Sequence, residues 1–136
     1  MAKNVSDLNS KIWLSAPHMS GHEEKFIKEA FNTNWIAPLG PNVNGFEKDL
    51  ETYLGNNVHV AALTTGTAAI HMALLLLNVT TNDEVICQTK TFAASVNPVT
   101  YLGAKPVFVD SEKDTWNMCP DLLEQAIKNR INQGNK

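Results

Sequence analysis

The sequence has little of what marks several large classes of protein. Arginine occurs once, at Arg130, and the formal net charge is −3, so nothing favours binding to nucleic acid or to an anionic membrane. The longest strongly apolar run, residues 68–77, is too short to span a bilayer. Residues 1–14 contain no apolar core of signal-peptide length. We therefore expect a cytoplasmic protein with neither a nucleic-acid nor a membrane partner.

Cysteine is also scarce, and the two cysteines, Cys87 and Cys119, stand far apart without a C-x-x-C pattern. A structural zinc site needs about four ligands at short spacing, which this chain does not offer. His18 and His22 are four residues apart, but the predicted helix begins between them, at Ser20, so they do not share a helical face. We expect two reduced, partly buried thiols and no metal site.

What is present fits a folded globular chain, with 43% hydrophobic and 18% charged residues. Apolar periodicity and turn residues predict the element order α-α-β-α-β-α-β-α. Helices are predicted over residues 21–32 and 45–54, over a segment that ends near residue 78, over residues 91–102 with an interruption at Pro98, and over a segment that starts at residue 120. Strands are predicted over residues 58–63, 84–87 and 105–110. This order predicts a parallel sheet with helices on its faces. Three strands leave two open edges, so we expect oligomerisation or a longer protein.

Two helix starts carry the capping-box spacing, in which a small polar residue is followed three residues later by glutamate. Ser20 precedes Glu23 in this way, and Asn44 precedes Glu47. We therefore expect Ser20 and Asn44 to be N-cap residues, and Gly55 to end the second helix.

A small polar turn, Thr64–Thr67, joins the predicted strand at residues 58–63 to an apolar helix. Gly66 lets the backbone turn sharply, and the first amides of a helix favour an anion such as phosphate. An ordinary strand-to-helix turn has a similar pattern, and neither G-x-G-x-x-G nor the P-loop motif occurs here. The turn is therefore either a phosphate site or a plain connection.

Further polar and aromatic residues follow the other two predicted strands. Because ligands bind beyond the carboxyl ends of parallel strands, residues 88–92 and Asp110 should lie at the same edge as the polar turn. Phe92 either packs on the core or exposes a flat ring that can stack on a planar cofactor. Asp110 either caps the turn at Ser111 or orients a polar group in the site. Lys90 is expected to be a solvated lysine.

Several segments resemble motifs of the DegT-type sugar aminotransferases and occur in the same order along the chain. The resemblance extends over about residues 13–131. The family patterns are W-I-x-x-x-G-P followed by F-E, S-G-T-A-A-L-H, P-x-x-T-F-x-A-(S/T), G-A-x-P-V-F-V-D and T-y-n-i/m. They match Trp35–Pro41 with Phe46 and Glu47, Thr65–His71, Gln88–Ser95, Gly103–Asp110 and Thr115–Met118. Gln88 departs from the Pro or Ser that is usual at its position.

The resemblance implies a pyridoxal-phosphate enzyme with the aspartate-aminotransferase fold. Such enzymes transfer an amino group, usually from glutamate, to a nucleotide-linked keto-sugar. The chain would then be the N-terminal part of the large domain of a fold type I transferase, built from parallel-strand βαβ units with helices on both faces. Residues 1–19 would form an N-terminal arm, and residues 20–136 an incomplete cofactor-binding domain. A homodimer that acts in cell-surface polysaccharide or glycan biosynthesis is also implied.

The resemblance further assigns roles by position. The amides of Gly66 and Thr67, next to Thr65 and together with the Thr67 hydroxyl, would bind the cofactor phosphate. Phe92 would stack on the pyridine ring. The loop that carries Trp35 and Ile36 would approach the substrate or the dimer partner.

The family's Schiff-base lysine, and the acidic residue that pairs with the pyridinium nitrogen, lie beyond the segment matched here. Neither Lys128 nor Lys136 has a matching context, so we expect an N-terminal fragment that is inactive alone. Two alternatives stay open: a lysine-less family member that acts as a dehydratase or a sugar-sensing regulator, and a standalone phosphate-binding module.

Overall fold

The structure, a computed structural model, describes residue 15 and residues 17–55 and 57–134. Most of the predicted arm, residues 1–19, lies outside the described residues. The helices are α1 (Glu23–Asn32), α2 (Pro41–Leu54), α3 (Gly66–Leu76), α4 (Asn97–Tyr101) and α5 (Pro120–Asn132); the strands are β1 (Glu84–Gln88) and β2 (Lys105–Val109); a 3₁₀ turn covers Ala93–Ser95. The chain divides between Ala62 and Leu63 into two compact units.

The first helix, α1, begins two residues later than predicted. Its N-cap is His22 and not Ser20, whose hydroxyl accepts only a long bond of 3.3 Å from the His22 N–H. The Glu23 carboxylate accepts the N–H groups of Ser20 at 2.6 Å and Gly21 at 2.9 Å. The Ser20 N–H in particular lowers the pKa of Glu23 from 4.5 to about 2. The glutamate half of the predicted capping box therefore forms, and the serine half does not.

The second helix, α2, begins at Pro41, four residues before the predicted start, so Asn44 is not its N-cap. Proline is favoured at the first helical position because its fixed φ suits the helix. An N–H at that position would have no acceptor inside the helix, so its loss costs nothing. Gly40 is the N-cap, with a φ of 149° that favours glycine. A Cβ at Gly40 would lie 3.1 Å from the Trp35 indole, so this turn also needs a residue without a side chain.

The predicted strand at residues 58–63 is wrong, because this segment forms no ladder with another strand. Carboxylates of α2 take its amides instead: Val60 donates to Glu51 at 3.3 Å and Ala62 donates to Glu47 at 2.7 Å. The Val60 N–H is also the main cause that lowers the pKa of Glu51. The sheet in the described part of the chain therefore has two strands and not three.

The second unit contains one parallel βαβ crossover. Strands β1 and β2 pair from Glu84 with Lys105 to Gln88 with Val109. The helix predicted over residues 91–102, with an interruption at Pro98, is indeed interrupted: it consists of a 3₁₀ turn followed by the short helix α4. Pro98 explains the break, because proline fits only in the first turn of a helix.

The core of this unit lies between the crossover and α3. It is formed by Leu74 of α3, Cys87 of β1, Val99 of α4 and Ala104. Cys87 and Cys119 are both free thiols, and burial raises the pKa of Cys87. Helix α3 packs against α4 and the 3₁₀ turn, and α5 packs against β2. None of the helices in the described part of the chain is long and apolar enough to cross a membrane.

Candidate functional site

The polar turn at residues 64–67 begins a helix, as predicted. Thr65 is the N-cap of α3, in an extended conformation with φ of −154°. Its hydroxyl accepts the Ala68 N–H at 3.1 Å, and its carbonyl accepts the Ala69 N–H at 3.1 Å. The amides of Gly66 and Thr67 therefore lie in the first helical turn, where an N–H has no acceptor inside the helix. The positive end of the helix dipole is at the same place.

The space beside this turn is open. A Cβ built on Gly66 would meet no atom within 4 Å. A phosphate group can bind where backbone N–H groups without an acceptor inside the helix, the positive end of the helix dipole and free space occur together. The start of α3 offers all three. The residues present therefore fit the phosphate of a cofactor.

Phe92 lies at the start of the 3₁₀ turn that packs against α3. It is 81% exposed, which excludes the interpretation that its ring packs on the core. Its carbonyl accepts the Ser95 N–H at 2.8 Å, and the Thr91 hydroxyl donates to the Ser95 hydroxyl at 3.2 Å. These bonds order the turn from which the exposed ring projects, so the ring can stack on a planar ligand.

Asp110 caps the turn after β2, one of the two roles considered for it. One carboxylate oxygen accepts the Ser111 N–H at 2.8 Å and the Thr89 hydroxyl at 2.9 Å. These two donors, the Ser111 N–H first, hold the pKa of Asp110 below its usual value. Within residues 17–55 and 57–134, no group of three or more His, Cys, Asp or Glu side chains is arranged to hold a metal ion.

A second cluster at the strand ends has no counterpart in the sequence predictions. The Gln88 amide nitrogen donates to the Ser111 hydroxyl at 2.9 Å and to the Trp116 carbonyl at 2.7 Å. Lys90 is exposed, as expected for a solvated lysine, and its ammonium also lies 3.6 Å from the centre of the Trp116 ring. The only sequence signals were that Gln88 departs from the family pattern and that Trp116 falls within the T-y-n-i/m segment.

Trp35 and Ile36, the predicted substrate residues, lie in the first unit. Their exposed fractions are 50% and 68%. The Trp35 N–H donates to the Ala30 carbonyl at 2.8 Å, and its ring packs on Gly40. The Trp35 side chain therefore has a local structural role, and the substrate role of both residues stays a prediction.

The segments that build these turns match a known family. Residues 17–133 match the DegT/DnrJ/EryC1/StrS aminotransferase family. The chain belongs to this family. The resemblance found in the sequence motifs is therefore confirmed over most of the chain.

Relatives within the DegT family are found at substantial identity. The chain is 54% identical over 127 residues to EpsN of Bacillus subtilis (strain 168), which is named as a pyridoxal phosphate-dependent aminotransferase; the match covers 93% of this chain and 32% of EpsN. It is 39% identical over 115 residues to the GDP-perosamine synthase of Escherichia coli O157:H7, covering 84% of this chain and 31% of that protein. The chain thus spans about a third of the length of these relatives.

Solved structures of the DegT family share the fold. The PLP form of Spr1654 from Streptococcus pneumoniae, named as a sugar aminotransferase, matches with a TM-score of 0.75 and 35% identity over 86% of this chain and 29% of that one. A DegT DnrJ EryC1 StrS aminotransferase from Brucella abortus matches with a TM-score of 0.69 and 35% identity over 87% of this chain and 34% of that one. The chain therefore has the predicted fold, the N-terminal part of a fold type I transferase. Its family uses pyridoxal phosphate, and Spr1654 is also solved in its PMP form.

Proposed function

We propose that this chain forms the N-terminal portion of a pyridoxal-phosphate-dependent aminotransferase that acts on a nucleotide-linked keto-sugar, with glutamate as the amino donor. The observation that carries the proposal is the open start of α3 at Thr65–Thr67, in a family that uses this cofactor. The substrate class is supported by relatives such as the GDP-perosamine synthases, whose name includes a nucleotide-linked amino sugar.

The domain organisation and setting belong to the same proposal. Residues 20–136 form the N-terminal portion of the large domain, and residues 1–19 form an arm. The enzyme is a cytoplasmic homodimer that supplies amino sugars to cell-surface polysaccharide or glycan. Family membership supports this assignment.

Each predicted site residue has a physical task. The Thr65 hydroxyl fixes the start of α3 by capping Ala68, so the amides of Gly66 and Thr67 stay directed at the phosphate. The Thr67 hydroxyl adds a third donor. Phe92 covers one face of the cofactor ring and excludes water from it. Trp35 and Ile36 approach the substrate or the dimer partner. The bound cofactor supplies the electron sink on which amino transfer depends.

The experiment that tests the function uses the complete gene product that contains this chain. We expect purified protein to bind pyridoxal phosphate, to convert it to the amine form with glutamate, and to pass the amino group to a GDP- or UDP-linked keto-sugar. Visible absorbance follows the first two steps, and mass spectrometry of the sugar follows the third. Loss of water from the sugar without any need for glutamate would instead support the dehydratase alternative, and no reaction of any kind would support a sensor.

Removal of the Phe92 ring tests the cofactor site. We expect Phe92→Ala in the complete gene product to weaken pyridoxal phosphate binding by about 2- to 12-fold, because a stacked ring contributes about 0.5–1.5 kcal/mol. The melting temperature of the cofactor-free protein should change little, since Phe92 is 81% exposed. Cofactor titration and thermal melting measure the two effects. Phe92→Tyr keeps the ring and is the control; equal affinity in all three proteins would remove Phe92 from the site.

A further inference from the structure

Trp116 has a backbone conformation that is rare for a large residue. Its φ is 63°, in the left-handed region that favours glycine. A bulky residue stays in this region only where its surroundings impose it, and such residues concentrate at functional sites. The contacts that keep Trp116 in this conformation therefore indicate its functional role.

Hydrogen bonds hold the Trp116 carbonyl and the two residues that flank Trp116. The Gln88 side chain donates to the Trp116 carbonyl at 2.7 Å. The Glu112 N–H donates to the Asn117 carbonyl at 2.9 Å, which closes the loop around Trp116. The Glu112 carboxylate also accepts the N–H of Thr115 at 2.8 Å and the Thr115 hydroxyl. The loop is therefore well ordered by its own bonds.

The Trp116 side chain is held as well, and it remains largely exposed. The Lys90 ammonium lies 3.6 Å from the ring centre, where the negative face of an aromatic ring attracts a cation. Four other lysines pair with a glutamate: Lys28, Lys48, Lys105 and Lys128. For Lys90, the partner that the structure shows is the Trp116 indole. Trp116 nonetheless stays 58% exposed.

The position of Trp116 is the edge of the sheet at which ligands bind. Gln88 and Val109 are the paired last residues of the two parallel strands. Trp116 is bonded to Gln88, and Phe92 follows Gln88 by four residues, which span at most about 14 Å of extended chain. Two exposed aromatic residues thus share one edge, and the proposed cofactor site uses only Phe92.

We propose that Trp116 stacks on the nucleobase of the substrate, with Gln88 and Lys90 as the residues that position it. This inference rests on the proposed function, because it assigns the nucleotide part of the nucleotide-linked keto-sugar. A rigidly held, exposed indole is suited to this role, since every base presents a flat face and stacking needs little else.

The test uses GDP, UDP and inorganic pyrophosphate as probes for the cofactor-loaded complete gene product. Trp116→Gly removes the ring and also relieves the backbone, because glycine adopts this φ freely. We expect this variant to bind GDP and UDP about tenfold more weakly, with pyrophosphate binding and melting temperature unchanged. Trp116→Tyr keeps a ring and should stay within about threefold of the original affinity. The control is Tyr101→Leu, in which another aromatic residue of 59% exposure is replaced, at the end of α4, where its ring contacts His71 and not Trp116.

Unchanged GDP and UDP affinity in Trp116→Gly would overturn the inference, as would an equal loss of pyrophosphate binding. The half-reaction with glutamate separates this failure from failure of the proposed function, because it needs no nucleotide. If glutamate converts the cofactor in Trp116→Gly as it does in the original protein, while nucleotide binding is unaltered, only the stacking role fails. If the original protein does not react with glutamate, the proposed function fails, and nucleotide binding still decides the role of Trp116.

Discussion

Replacement of Gly66 by aspartate is expected to weaken cofactor binding severely without harming the fold. The new carboxylate would lie in the first turn of α3, where acidic groups stabilise a helix by about 0.3–1 kcal/mol. A Cβ at this position meets no atom within 4 Å, so the side chain has room. Its charge would repel the cofactor phosphate: two unit charges about 4 Å apart interact by about 4 kcal/mol at an effective dielectric constant of about 20. Affinity should therefore fall by about 1000-fold.

Cofactor titration of the complete gene product measures this loss, and thermal melting of the cofactor-free protein measures the fold. Gly66→Asn is the matched control, because asparagine has nearly the same shape without the charge. We expect it to bind pyridoxal phosphate much better than Gly66→Asp does. If the two variants bound the cofactor equally, the phosphate would not lie at the start of α3.

The largest effect on stability is expected at Val99. It is 1% exposed and packs with Leu74, Cys87 and Ala104 in the core of the second unit. Val99→Asp would bury a carboxylate for which the described core, built from Leu, Cys, Val and Ala, offers no polar side chain as partner. We expect a loss of at least about 4 kcal/mol in the free energy of unfolding, enough to unfold a marginally stable unit.

Denaturant unfolding of the complete gene product, followed by circular dichroism, measures this loss. The control is Thr100→Asp, which introduces the same charge one residue later, at an exposed position of the same helix. We expect that variant to stay within about 1 kcal/mol of the original protein. If both substitutions lowered the free energy of unfolding equally, a charge at any position of helix α4 would be destabilising. The burial of Val99 would then not be the cause of the loss.

The elements predicted well are those whose ends are set by local chemistry. Strand β2 and helix α5 begin within a residue of the prediction, because Gly103 and Pro120 act on the backbone directly beside them. Helix α3 begins at the predicted turn because Thr65 caps it with its own side chain. Pro98 likewise interrupts the crossover helix, as predicted, because proline fits only in the first turn of a helix.

The predicted strand at residues 58–63 is wrong because local sequence does not show whether a strand will find a neighbour to pair with. Its apolar residues suit a strand, but a strand exists only when a neighbour accepts its hydrogen bonds. In this chain, Glu47 and Glu51 accept the amides of Ala62 and Val60 instead. The same limit explains α2, whose start at Pro41 depends on the way Gly40 turns beneath Trp35.

By itself, the sequence determined the family, the cofactor and the turn at Thr65–Thr67. Motif spacing and the chemistry of a helix start are local, so one segment is enough to predict them. The tertiary structure decided that Phe92 is exposed, that Asp110 caps a turn, and that Gln88 and Lys90 hold Trp116. Gln88 and Trp116 are 28 residues apart. They meet only because Gln88 pairs with Val109 at the ends of parallel strands, and no local pattern encodes that register.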